Sequence, residues 1–498
     1  MKEKIIEKIK QFGIIEIIVL ALYIIILLTV AVNHEYYEDE AQSWLIARDL
    51  NFVEIIEQMK YEGHSVLWYY IIAPFAKLGF SVNIQTYISC LFAIATVYII
   101  LKKAPFNKIT KILLTFSGGM IFLYSVIARP YCLIPFLLVC ISIIYRKRKE
   151  RQYLYAVLIG LLAHTHLIML PTAIMLSISF WGQELIIKRQ ENSKEEKKTL
   201  YKSLLIAVFF IMIFILIVVF TISNCAIISN VDKTDRVTSI SKCFTLIKIT
   251  SLDTIKNIYG ASGEIPAYFK ILVGIVIGLC LIGSKKNIKQ ALIFWSQFIF
   301  TLLIHSFLWF IMPMRVYIII YTLMFWLWNY REDEQYKKNP ERNLFIEIAL
   351  ILLIIISAPS IYKLSYEDIT SEFSTGEITA KYIQEHIPKN SCFICTDMES
   401  QQSVIAYLKK DDYKFYMPNS KEYITFITWN KEWNTNITEK NIKEAIQKLK
   451  LEYENLYVIG NRNNIENSEF IYSSQDKVNN NFYFENEIYS IYKIEDKN

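Results

Sequence analysis

Acidic residues are scarce where transport would need them. The long apolar runs of this 498-residue chain hold few carboxylates apart from Glu16 and Glu184, and both lie near the end of a run. Pumps and transporters place ionisable groups at mid-membrane depth, so the scarcity weakens a transporter or flippase reading. The sequence also lacks a glycine-rich phosphate loop, an internal repeat, and an inverted pair of halves with Gly- or Pro-broken spans. Histidine is rare, at six residues, and no HxxxH or HxxE spacing on one helix supports a bound divalent metal, which is left open. Cysteine is equally uninformative: Cys90, Cys132, Cys140 and Cys280 fall in apolar runs as small core residues. Cys392 and Cys395 form a CxxC in a strand-like run, where an offset of three points the thiols to opposite faces.

What is abundant is hydrophobic residue, at 54%, gathered into long runs rather than spread at core periods. A bilayer core needs roughly 20 apolar residues per helix. Eleven runs qualify as spans of an all-α polytopic membrane protein: Gly13 to Val32, Val82 to Leu101, Ile109 to Ile127, Tyr131 to Tyr145, Tyr153 to Ala163, Leu167 to Ile187, Ser203 to Ser223, Ala267 to Gly283, Ala291 to Phe310, Met314 to Tyr330 and Leu344 to Pro359. The first follows a basic opener and reads as a retained anchor, because no small-residue cleavage site is well defined and many spans follow. Ser65 to Leu78 is apolar but too short to cross, which suits an interfacial or re-entrant segment.

Lysine and arginine then set the topology, since short cytoplasmic loops carry the excess of positive charge. If Ser65 to Leu78 does not cross, the basic loops at Lys102 to Lys111, Arg146 to Arg151, Lys188 to Lys202, Lys285 to Lys289 and Arg331 to Arg342 all fall inside with the N-terminus. After an odd number of spans the C-terminal segment lies outside. The net charge of +6 is mostly this bias, and is no argument for nucleic acid. Two units follow: residues 1–360 as a membrane core with a first outer loop at 33–80, and residues 361–498 as an extracytoplasmic soluble domain. In the latter, helical stretches (Thr379 to His386, Ser400 to Lys409, Thr438 to Leu451) alternate with β-rich runs (Cys392 to Thr396, around Phe415 and Ile424, Leu456 to Ile459, Phe470 to Ser473, Phe482 to Ile494), the pattern of a small α/β domain.

The first outer loop holds the candidate chemistry. Asp39 and Glu40 follow directly on a span, where a carboxylate at the lip of a membrane is a candidate general base. Asp39 followed by Gln42 also reads as a capping box for an amphipathic helix from Glu40 to Leu50, and a carboxylate can do both. Arg129-Pro130 and Pro313-Met314-Arg315 each place an arginine at the outer N-terminal end of an inward-running span. Positive charge at a helix N-terminus is unfavourable unless an anion compensates, so the pair suggests a phosphate site, with snorkelling to lipid headgroups as the plain alternative. His64, His164, His166 and His305 gather on the same face, each with a packing role as the alternative.

These residues resemble a known family. Asp39-Glu40 after the first span, amphipathic helices in that loop, Gly63-His64 before an aromatic piece ending Pro74 to Gly79, and the turn Ala128-Arg129-Pro130-Tyr131 are similar to the glycosyltransferase C superfamily. Within it the likeness is to polyprenyl-phosphate-sugar-dependent enzymes, such as protein mannosyltransferases and aminoarabinose transferases, and covers about the first 190 residues. The resemblance implies a polyprenyl-phosphate-linked sugar donor with its tail in the lipid bilayer, a glycan, lipid or protein acceptor, and inverting displacement. It implies Asp39 as the base and Arg129 and Arg315 on the phosphate. Glu40, Glu62, His64, Tyr131, His164 and His166 would complete the site, with Trp44, Trp68 and Tyr69 lining it. Gly63-His64-Ser65 departs from the pattern by lacking the proline common after this histidine. A polymer ligase or polymerase is the rival enzyme, although its catalytic loop usually comes late in the chain. Heavy use of Ile, Lys, Asn and Tyr suggests an AT-rich bacterial genome and hence a bacterial plasma membrane.

Overall fold

A computed structural model describes residues 13–62, 64–187, 193–224, 267–285, 288–307, 313–332, 344–397, 401–430, 437–462, 465–475 and 487–495. The chain is mostly helical, with a small sheet domain at its C-terminal end. Among the described residues five helices are long and apolar enough to cross a membrane: Ile14–Ala31, Ile84–Lys103, Pro130–Lys147, Lys194–Thr221 and Leu344–Thr370. Gln152–Ala163, Ile271–Ser284 and Ile288–Ile304 are apolar but shorter. Residues 225–266, between the apolar runs Ser203 to Ser223 and Ala267 to Gly283, lie outside the described residues.

Helix α1 (Ile14–Ala31) shows why these helices belong in lipid. Val19, Tyr23, Leu27 and Val30 make one buried stripe at helical spacing, while Ile14, Ile18, Leu22 and Ile25 stand exposed on the other side. A helix apolar all round with one face packed needs an apolar solvent for the rest. After it come α2 (Glu38–Asp49), α3 (Phe52–Glu62) and α4 (Leu67–Lys77); α2 packs on α4, and α3 packs on the long helix Lys194–Asn224. α4 is the short apolar piece, and it returns the chain to α5 (Ile84–Lys103).

The run Ile109 to Ile127 is not one helix. α6 (Lys108–Thr115) stops, a π turn occupies Gly119–Leu123, and the chain bends through Tyr124 to Arg129 before α7 (Leu133–Ile144). The reason is close packing: a Cβ on Gly119 would lie 2.0 Å from the Tyr321 hydroxyl, and one on Gly118 would lie 2.7 Å from Ile361. Only glycine lets these neighbours approach so closely. Helices α8 (Gln152–Ala163), α9 (Leu170–Ser177), α10 (Lys194–Asn224), α11 (Ala267–Ser284), α12 (Ile288–Phe307) and α13 (Ile318–Arg331) follow. α14 (Leu344–Thr370) runs through Pro359 and eleven residues further, so the sheet domain begins at the end of a helix rather than after a loop.

That domain carries α15 (Gly376–His386), β1 (Cys392–Cys395), α16 (Gln401–Ile405), β2 (Lys414–Met417), β3 (Glu422–Tyr423), α17 (Glu439–Leu449), β4 (Leu456–Gly460), β5 (Ser468–Ser473) and β6 (Ser490–Ile494). The sheet order is β3-β2-β1-β4-β6-β5, parallel at β2-β1-β4 and antiparallel elsewhere. Its central strands read as unbroken apolar runs, as buried parallel strands do. Thr438 and Asn441 cap α17 reciprocally. Cys392 and Cys395 are both buried, free thiols in β1.

The domain is seated on the loop after α1. The Tyr36 amide donates to the Tyr407 hydroxyl at 2.9 Å, the Glu38 amide to Glu487 at 2.7 Å, and the Phe373 amide to Glu35 at 2.8 Å. Lys410 pairs with Asp49 at 3.3 Å. A cavity of about 360 Å³ opens at this junction, lined in part by Asn33, Glu35, Asn83, Tyr87 and Lys381. Burial pushes Glu487 up to about 8 and Glu35 up to about 9, against the amide hydrogen bonds that favour their charged forms. Both acids thus hold a proton in the folded state that they give up above about 4.5 when unfolded. Their contribution to stability is complete at acidic pH and lost as pH rises through 8 to 9. The thermal midpoint in detergent should therefore fall between about pH 5 and pH 9 and level off above that, and Glu487→Gln should flatten the decline. A midpoint that rises over this range would contradict the seating contacts.

Candidate functional site

Asp39 occupies the first turn of α2, and the structure corrects its expected capping role. The N-cap is Tyr37, whose side chain makes no capping bond, the Glu38 amide is taken by Glu487, and Gln42 is spent elsewhere. The Asp39 side chain is 44% exposed and meets Arg129, only 6% exposed, at 3.3 Å. Arg129 comes from the bend before α7. Its Nη1 donates to the Asp39 carbonyl at 2.6 Å, and its Nη2 lies 3.0 Å from His64 Nε2. Its Nε is buried without a partner among the described residues. The result is a carboxylate open to solvent, backed by a cation that is not.

Around this pair the structure brings together most of the residues singled out from sequence. Tyr131 donates toward or accepts from His166 at 3.1 Å, and Arg315 Nε donates to the Tyr131 hydroxyl at 3.4 Å. The His64 and His166 rings stand 5.3 Å apart, and Tyr131 stacks on His166 at 5.0 Å. Burial, then the charges of Arg129 and Arg315, hold His64 well below the usual imidazole range. A neutral imidazole that accepts from Arg129 on Nε2 carries its proton on Nδ1, and that atom is buried without a partner among the described residues. Glu62 ends α3 and receives N–H groups from Gln42 at 3.0 Å and Gln58 at 2.8 Å. Burial pushes it up to about 7, partly opposed by those amides and by Arg129.

Two expected members are placed elsewhere. Glu40 is fully buried, one residue from Asp39 but turned to the opposite side. Its carboxylate accepts from the Ala128 amide at 2.5 Å and meets His34 at 3.0 Å, and His34 reaches Asp368 on α14 at 3.0 Å. This is a structural hub. Burial alone would lower His34, but the two carboxylates raise it well above its ordinary value. His164 bonds to Ser65 and, at 2.9 Å, to the Phe210 carbonyl, which fixes α8 against α10. Trp44, Trp68 and Tyr69 pack in the core rather than on an open wall. The His305 side chain falls outside what the structure describes. Among the described residues no group of three or more His, Cys, Asp or Glu side chains is arranged to hold a metal ion.

Sequence reasoning missed Gln58, His34, Asp368 and the Ile427 backbone, because each has a partner far away in the chain. The local signals were the i,i+4 spacing of Gln58 and Glu62 and the nearness of His34 to Glu40. The contrast between neighbouring acids can be tested directly. Glu40→Ala leaves the His34–Asp368 pair and the Ala128 amide without their buried partner, and should cost about 3–5 kcal/mol in unfolding experiments; a loss under 1 kcal/mol would place Glu40 in the open site instead. Comparison with known proteins gives no name to this arrangement: no protein-family model matches the chain, and no curated protein matches it.

Proposed function

We propose that this chain is an integral membrane glycosyltransferase of glycosyltransferase C type, moving a sugar from a polyprenyl-phosphate donor to an acceptor outside a bacterial plasma membrane. In this reading all eleven apolar segments cross, the N-terminus is cytoplasmic and the sheet domain extracytoplasmic. The observation that carries it is the exposed Asp39 carboxylate backed by buried Arg129. Support comes from the surrounding donors, Arg315, Tyr131, the orphaned His64 Nδ1 and Arg129 Nε. They provide the positive, hydrogen-bonding surroundings that a phosphate requires. The basic residues Lys111 and Arg331 donate to the Leu101 and Pro105 carbonyls, beside Lys102 at the end of α5 remote from Asp39, as a cytoplasmic face requires.

The chemistry asks little more of the protein. Asp39 takes the proton from an acceptor hydroxyl or amine as that atom bonds to the anomeric carbon. The bond from that carbon to the phosphate oxygen breaks in the same step, and its electron pair leaves on the lipid phosphate. Arg129 and Arg315 stabilise the charge that develops there. A single displacement inverts the anomeric centre and needs one base.

Asp39→Asn should lower transfer by about 10²–10⁴-fold, the range for losing a general base, while the protein stays folded and inserted. Envelope glycans and glycolipids compared by mass spectrometry in wild type, deletion and Asp39→Asn strains read this out. One sugar lost in the deletion and not restored by Asp39→Asn supports the proposal, and unchanged glycans reject it. Separately, Arg129→Ala and Arg315→Ala should each weaken binding of undecaprenyl phosphate about tenfold or more, the scale of one charge-assisted contact. Native mass spectrometry measures this, and unaltered affinity in both would assign the arginines to lipid anchoring.

A further inference from the structure

The sheet domain reaches the Glu62 side of the candidate site through the backbone of Ile427. Ile427 lies in the segment after β3, and its carbonyl accepts from Gln42 Nε2 at 2.7 Å and from Gln58 Nε2 at 3.2 Å. Its amide donates to Gln42 Oε1 at 2.9 Å. A backbone N–H can only donate, so the oxygen of Gln42 must face it and the amide cannot flip. The remaining hydrogens of the two side-chain amides go to one atom, Glu62 Oε1, at 3.0 Å and 2.8 Å. All four N–H groups of Gln42 and Gln58 are thereby used, two on Ile427 and two on Glu62.

Glu62 is two residues from His64 and within electrostatic reach of Arg129, Asp39 and Tyr69, the charged and titratable groups of the bend, α2 and α4 that surround it. We propose that Gln42 and Gln58 are positioning residues for Glu62 and that the sheet domain sets their direction: the Ile427 backbone locks both amides, so that seating of the domain presents Glu62 to the site as a doubly hydrogen-bonded carboxylate. The domain is then a working part of the membrane site, and an acceptor that shifts the segment around Ile427 alters the charge beside Arg129. This deepens the transfer reading and rests on it for the meaning of the site, while the contacts themselves stand without it.

Hydrogen bonds to a carboxylate favour its charged form against burial. Without them Glu62 holds its proton to higher pH. The test is a pH titration of the carboxyl stretch of Glu62 by infrared difference spectroscopy on the full-length protein in detergent, with Glu62→Gln as the blank. Wild type should titrate near pH 7. Ile427→Pro, which removes the amide donor and keeps the carbonyl, should move the midpoint up by about one pH unit, and Gln42→Leu should do the same without touching the backbone. Ile427→Val preserves the backbone and should match wild type. Midpoints equal to wild type in Gln42→Leu, or displaced in Ile427→Val, would overturn the proposal. Because the readout is Glu62 itself, the inference fails on this titration and the transfer reading on the Asp39→Asn glycans, each independently of the other.

Discussion

The buried carboxylate of Glu40 is the contact on which the membrane-proximal structure turns. It accepts from the Ala128 amide and from His34, and His34 is held in turn by Asp368. Three stretches far apart in sequence, the exit from α1, the bend before α7 and the end of α14, meet at one charged knot with no exposed side-chain surface. Buried charges are tolerated only when paired and hydrogen-bonded, so each stretch is held in place by the other two. Arg129 is the residue after Ala128, and Asp39 the residue before Glu40. Fixing the knot therefore fixes the ion pair that makes the candidate site.

Two adjacent acids thus serve opposite ends. Successive side chains on a helix diverge by about 100°, so Glu40 on the core side of α2 leaves Asp39 facing out. The inward acid is satisfied completely, while the outward one is half exposed, with a buried arginine behind it. The inward charge is saturated, and the candidate group is the one whose surroundings are left open.

Much of this was legible in the sequence. Apolar runs marked out the helices, and the alternation after Thr375 marked the sheet domain. Asp39, Arg129, Tyr131, His64 and His166 were chosen from a loop, a turn and a pair of histidines, and they do lie together. What failed to show was anything fixed by partners beyond local reach. Gln42 at three residues from Asp39 has the spacing of a capping partner, but its true partner is 385 residues away. Glu40 looked like a twin of Asp39 because sequence gives type and spacing but not the direction of a side chain. The bend in the run Ile109 to Ile127 was hidden for a similar reason: Gly118 and Gly119 yield to Ile361 and Tyr321, whose approach no local pattern announces.

The length of α14 has a mechanical meaning. The helix continues without interruption from Glu347, which pairs with Arg331, to Asp368 in the charged knot. At 1.5 Å per residue that is about 32 Å, close to the thickness of a bilayer core. The sheet domain is therefore mounted on a stiff shaft rather than hung from a tether, and the two ends of the shaft are gripped by charges on opposite faces of the bundle. Its orientation is geared to the helices beneath it through one charge at each end of a continuous helix.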